Sequence, residues 1–227
     1  MHTYAIGGTK SNIRIKVIIF LFVISVIIST LMNVGIDKLA EIFPDIFEKV
    51  NNFLNTWSFF DFSIGNISVF LIYGILMWIF DKKIWRQKFV NHFLGIPDFS
   101  GTWNGELVSS FDSNNKIGVK MTITQTWTDI HILSCFTDTD SGFQSSESGS
   151  DSAFINPDYQ LGSLLKFTYI NIAQDVDYEQ SEHRGQNEML LKNFDKKKNK
   201  YMTLEGIYFN NRGKTGNKGT MIMNRIS

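Results

Sequence analysis

Hydrophobic and polar positions follow three different periods along this chain, and each period marks a different kind of structure. Val17 to Ile36 (VIIFLFVISVIISTLMNVGI) runs without a charged residue, about the length at which a helix crosses the hydrocarbon core of a bilayer. Phe62 to Phe80 (FSIGNISVFLIYGILMWIF) is a second such run. Neither contains a charged side chain that would mark a proton relay or a voltage sensor, and Gly65 and Gly74 offer places for close helix contact. Between the runs, Leu39, Ile42, Phe43, Ile46, Phe47, Val50, Phe53 and Leu54 recur at helical spacing, interrupted by Pro44. That spacing predicts an amphipathic helix with its acids on the opposite face, lying on the outer membrane surface or folded against the two spans.

From Ile84 to Leu94 (IWRQKFVNHFL) cations interleave with large apolar side chains, as in a helix leaving the membrane through the headgroups with Trp85 as an interface anchor. Gly95 to Asp98 (GIPD) stops it, because proline cannot continue a helix. Beyond Pro97 the period falls to two. Eight strand-like runs follow: Thr102 to Ser110, Gly118 to Trp127, Ile130 to Thr137, a poorly marked one within Gly142 to Ile155, Ser163 to Ala173, Gln186 to Phe194, Tyr201 to Asn210 and Gly219 to Ile226. Turn-forming residues separate them. Short links restrict neighbours to antiparallel pairing, and eight such strands close into an up-and-down β-barrel wide enough for side chains or one small ligand. An open sandwich is the alternative. The expected organisation is a membrane region over residues 1–96, with spans at 17–36 and 62–80, and an all-β domain over 97–227.

In a barrel the apolar phase faces the lumen. Val119, Met121 and Ile123 share a phase with Gln125 and Trp127; Leu165 and Phe167 share one with Tyr169 and Asn171; Met202, Leu204 and Gly206 share one with Tyr208; Met221 and Met223 share one with Arg225. Antiparallel order gathers Trp103, Trp127 and Arg225 at one end, a plug with a guanidinium packed on an aromatic face. The other end, the mouth, collects Asn171, Tyr208, Arg184 and the loop carrying Arg212, Lys214 and Lys218. Tyr169, Asn171, Arg184, Tyr208 and Arg212 are therefore the expected ligand-binding set. Tyrosine rings stack on flat bases and guanidinium groups pair with phosphate, so the ligand is flat, polar-edged and anionic. The same cations, taken singly, also fit solvated hairpin turns.

Charge and composition narrow the classes. Formal net charge is +0, so no global field recruits DNA or RNA. The single Cys135 excludes an intramolecular disulfide and suits a reducing compartment. Lys10, Arg14 and Lys16 precede the first run and Lys82, Lys83, Arg86 and Lys88 follow the second, whereas the connection carries Lys38 and Lys49 among five acids. Positive-inside bias then puts both termini in the cytoplasm and the connection in the periplasm. No nucleophile elbow, HExxH, CxxC or P-loop is present, and neither His131 nor His183 has a second histidine at ligand spacing. An enzyme, a metal site and a cofactor are not expected.

In this order, two spans, PDFSGTWNGEL (Pro97 to Leu107), TITQTWTDI (Thr122 to Ile130) and LEGIYFNNR (Leu204 to Arg212), the chain resembles the transmembrane β-barrel effectors of bacterial cyclic-oligonucleotide-based anti-phage signalling systems. Its Gly-x-Trp opening and final Arg225 also resemble lipocalin-like barrels. The resemblance implies that a nucleotidyltransferase makes a cyclic di- or oligonucleotide on infection, that the barrel binds it, and that the effector oligomerises and disrupts the bacterial inner membrane. The alternative is a membrane-tethered barrel holding a lipid, another small apolar molecule or a partner protein.

Overall fold

The computed structural model describes residues 1–55, 68–110, 116–139, 142, 144–173, 182–195, 200–211 and 216–226. The chain forms two compact units: Asn12–Ile84, and Met1–Ser11 together with Trp85–Ser227.

The first unit is helical. Helix α1 (Ile13–Ile42) runs 30 residues, and its segment is long and apolar enough to cross a membrane, with a mean hydropathy of 2.7 over its best window. It carries the first predicted run and continues past it, ending where Pro44 forces a new start. Proline lacks the amide that the first turn leaves unpaired anyway, so it opens α2 (Pro44–Asn55). The start of the second predicted run, with Gly65, lies outside the described residues. Its remainder forms α3 (Val69–Lys82), capped by Ser68, whose hydroxyl accepts from the Phe70 amide at 3.2 Å. Helices α1 and α3 pack together, with Phe22 edge-on to Tyr73 at 6.0 Å. Val17, Leu21, Ser25 and Ser29 form the buried stripe of α1; the two serines supply the small side chains expected of the glycines, while nothing lies within 4 Å of a Cβ placed on Gly74.

The second unit is strand-rich. It contains β1 (His2–Ile6), α4 (Lys88–Leu94), β2 (Gly101–Ser109), β3 (Lys116–Gln125), β4 (Asp129–Asp138), β5 (Gln144–Asn156), β6 (Leu164–Ala173), β7 (Glu182–Asp195), β8 (Lys200–Asn210) and β9 (Asn217–Arg225). From β2 to β9 each strand pairs antiparallel with the next, and β9 returns to β2, closing a barrel. Helix α4 ends on Gly95, whose φ of 65° makes the left-handed cap that turns the chain toward the barrel.

The closure has a ninth member. Residues of β4 and β5 face each other only from Leu133↔Gly149 to Thr137↔Gln144, and β1 fills the gap beyond. It pairs antiparallel with β4 (His2↔Ile130) and parallel with β5 (Tyr4↔Ala153 to Ile6↔Ile155). Tyr4 is 2% exposed within the core, and the Gly7 amide extends the ladder to the Ile155 carbonyl at 2.9 Å. Residues that the sequence assigns to the membrane region thus complete the barrel wall.

The plug forms as the alternation predicts. Trp103 is fully buried, lies opposite Arg225 in register, and carries the Arg225 guanidinium 4.1 Å above its ring. Burial pushes the Arg225 pKa down and nearby Asp98 opposes that shift. The guanidinium is held by the carbonyls of Tyr201 (2.8 Å), Asp98 (3.3 Å) and Ser100, which replace the water it gives up. A Cβ on Gly105 would overlap the Ile222 carbonyl, so glycine is what lets β2 approach β9 here. One expectation fails. Trp85 is not an interface anchor but fully buried, 6.3 Å from Trp127 beneath the plug.

Candidate functional site

The lumen changes character along its axis. Near the plug it is apolar, lined by Met121, Ile123, Leu204 and Met223, all at most 2% exposed. Toward the mouth polar groups enter the inward phase. Ser134, Ser148, Asn171 and His183 are successive cross-strand partners on β4, β5, β6 and β7, and all are buried. They form one polar row climbing the wall. Asn187 lies opposite Tyr208 and Phe167, adding a second buried amide beside a phenol.

The two tyrosines are held by glycines. Tyr169 lies opposite Gly185 and Tyr208 opposite Gly219, and a Cβ on either glycine would overlap the facing ring. Each ring therefore lies flat across a cross-strand glycine, an arrangement that fixes its plane. Phe167 stands 6.4 Å from Tyr169, tilted by 56°. The Tyr169 phenol is pushed up to about 12, first by burial and further by Tyr208, with a hydrogen bond to Asn210 opposing.

Because that folded-state value exceeds the ordinary 10.0, the folded barrel keeps a proton that the unfolded chain releases. The resulting stabilisation, roughly 3 kcal/mol, is complete below the unfolded pKa and is lost as pH rises through about 12. Thermal unfolding above pH 10 should show this decline, and Tyr169→Phe should flatten it. An identical alkaline decline in the variant would remove Tyr169 as its source.

Three polar atoms in this region, Ser134 Oγ, Asn171 Oδ1 and Asn187 Oδ1, are buried without a hydrogen-bond partner among the described residues. Asn171 uses its amide nitrogen on Ser146 Oγ at 3.3 Å, which leaves its carbonyl oxygen for something else. Buried polar atoms are normally satisfied, so three orphans in one lumen leave hydrogen-bonding capacity for a polar occupant.

Of the expected site residues, Tyr169, Asn171 and Tyr208 come together on the inner wall. Arg184 sits on the outer face of β7, its side chain 66% exposed and 3.9 Å from Glu182, while Arg212 lies outside the described residues. Glu188 faces outward, paired with Lys166 at 2.7 Å. Among the described residues the upper lumen holds no guanidinium or ammonium, so any phosphate partner there must come from the rim. Asn187, His183, Ser134 and Ser148 are buried on the same inner wall. The first two were legible by extending the Met189 and Leu191 alternation back past Gln186, and Ser134 by its phase with Ile130 and Ile132. Ser148 lies in a serine-rich strand whose composition gives no phase.

The family model described as Cap15, cyclic dinucleotide receptor domain, matches residues 94–225. The protein named CD-NTase-associated protein 15, from Yersinia aleksiciae, is 28% identical over 155 residues, 67% of this chain and 66% of that relative. The chain thus spans just under two thirds of the relative's length.

Proposed function

The chain belongs to the Cap15 cyclic dinucleotide receptor domain family, and from that premise we propose that it is a membrane-anchored anti-phage effector whose barrel lumen binds a cyclic dinucleotide. The observation that carries the reading is the upper lumen itself: two glycine-seated tyrosines beside buried amide and hydroxyl oxygens without partners among the described residues. Tyrosine faces stack bases, and the orphaned oxygens accept from their N–H edges. Phosphates meet cations of the rim, for which Arg184 and Arg212 remain the candidates.

The chain's course supports membrane anchoring. Met1–Ser11 and the residues from Trp85 onward share one unit, so the intervening segment leaves a bilayer on the side where it enters. The number of crossings is then even. With α1 as one span, the run ending in α3 is the other, and both termini lie in the cytoplasm of a bacterial inner membrane with α2 in the periplasm. A reporter fused after Ser227 should read cytoplasmic, and a cysteine at Lys49 should react with a membrane-impermeant reagent.

Neither span carries a charged residue within its predicted run, and one pair of helices is too few to line a pore. Ligand binding acts instead by changing how copies associate. Ile207, Phe209 and Ile222, exposed on adjacent outer strands, supply an apolar surface for that association, which crowds the helices until the bilayer leaks. A hundredfold preference of ligand for the assembled form would supply about 2.7 kcal/mol per site.

Calorimetric titration of the full chain in detergent with a set of cyclic dinucleotides tests the reading. At least one should bind, and Asn171→Leu should weaken it by roughly tenfold to hundredfold, the loss of one buried hydrogen bond, while the chain still unfolds in a single cooperative transition. Unchanged affinity in Asn171→Leu would place the ligand elsewhere.

A further inference from the structure

The up-and-down order sends the β5–β6 and β7–β8 turns, the chain from α4 to β2 and the end of β9 to the plugged end of the barrel. That end is unusually apolar at its surface. Phe89 and Phe93, one turn apart on α4, are 75% and 63% exposed and meet edge-on at 4.9 Å. Leu161, Phe194 and Ile226 are exposed there too. Beside them lies a groove of about 1120 Å³ lined by Arg86, Lys88, Phe89, His92, Phe194 and Tyr201 among others. Lys10 donates to the Phe93 carbonyl at 3.5 Å and Lys192 to the Leu161 carbonyl at 2.8 Å, so further ammonium groups are held against the backbone of α4 and of the β5–β6 turn.

We propose that this groove is a binding site for the phosphate headgroup of an anionic phospholipid, with Phe89 and Phe93 inserted among the neighbouring acyl chains. The inference rests on the reading that α1 and α3 cross a bilayer. The covalent links between the groove and the helices are short. Only Lys83 to Gln87, five residues, separate α3 from α4, a reach of about 18 Å. Lys10, bonded to the Phe93 carbonyl of α4, stands three residues before Ile13, the start of α1. Exposed aromatic side chains beside a groove that carries Arg86 and Lys88 match the acyl–headgroup boundary of an anionic leaflet. A soluble partner would have to share that space with the lipid. Arg86 forms the inner edge of the groove and is positioned by Ser100 Oγ at 3.0 Å, Asp98 at 3.7 Å and the Gln125 carbonyl, which leaves Lys88 as the cation to test without disturbing the plug.

The test uses the full chain in nanodiscs of phosphatidylcholine, with or without phosphatidylglycerol, read by amide hydrogen exchange in α4. Flotation with the discs reports the spans independently. Exchange across Phe89 to Leu94 should be about tenfold slower in the phosphatidylglycerol discs. Lys88→Glu combined with Phe89→Ser should abolish that difference while cyclic dinucleotide affinity, a property of the opposite end, stays unchanged. Equal exchange in the two lipids, or lipid-dependent protection that survives the double substitution, would overturn the proposal. Protection by free glycerol phosphate in phosphatidylcholine discs would show a soluble-phosphate site and overturn the bilayer as its occupant.

Discussion

Trp103→Ala will lower the stability of the barrel by about 3–5 kcal/mol, the usual cost of emptying a buried large aromatic site, whether or not ligand is present. The indole is fully buried, its Nε1 donates to the Phe99 carbonyl at 3.1 Å, and it is the surface on which Arg225 rests. Removing it leaves a buried guanidinium beside a void, so the loss should exceed that of a plain core truncation at Met223. Near-ultraviolet circular dichroism through a denaturant titration measures it. A Trp103→Ala chain that unfolds normally yet fails to bind would mean that the two ends of the barrel have been interchanged.

Deleting His2–Ile6 should cost about as much, roughly 3–5 kcal/mol for the vacated Tyr4 site alone. It also strips hydrogen bonds from both flanking strands. The Tyr4 hydroxyl donates to the Thr126 carbonyl at 3.3 Å and accepts from Gln125 Nε2 at 3.4 Å, and Gln125 in turn takes the Phe99 amide at 2.9 Å. Loss of β1 therefore loosens the plug as well as the wall. Limited proteolysis should find new cleavage in β4 and β5 of the deleted chain. Unaltered resistance there would show that β1 is an accessory rather than a wall strand.

Where alternation is strong the sequence carried the fold. Val119, Met121 and Ile123 fix the face of β3, and Leu165, Phe167 and Tyr169 that of β6; with short turns between them, these phases suffice for antiparallel order and for placing Trp103 beside Arg225. Strand β1 was hidden because five residues ahead of a long apolar helix have too little pattern to read, and its pairing with β5 joins segments about 150 residues apart. Trp85 misled for a related reason: a tryptophan among cations fits a headgroup anchor, and only the tertiary packing of Trp127 buries it. The site was half legible. Phase alone placed Tyr169, Asn171 and Tyr208 on the inner wall, but the Tyr169–Gly185 and Tyr208–Gly219 pairs require the cross-strand register, which no local signal supplies. Arg184 lies at the mouth end but on the outer face, because its neighbour His183 takes the inward position.

The most direct test of ligand binding within the lumen is a methyl nuclear magnetic resonance titration of the methionine-labelled full chain with a cyclic dinucleotide. Met189 and Met221, at 0% and 2% exposure, stand one inward position below Asn187 and Gly219 on their strands. Their methyl signals should shift first and furthest, ahead of Met121 and Met223 near the plug, while Met32 in α1 stays in place until copies assemble. Saturable binding that leaves Met189 and Met221 unmoved would contradict a ligand in the lumen.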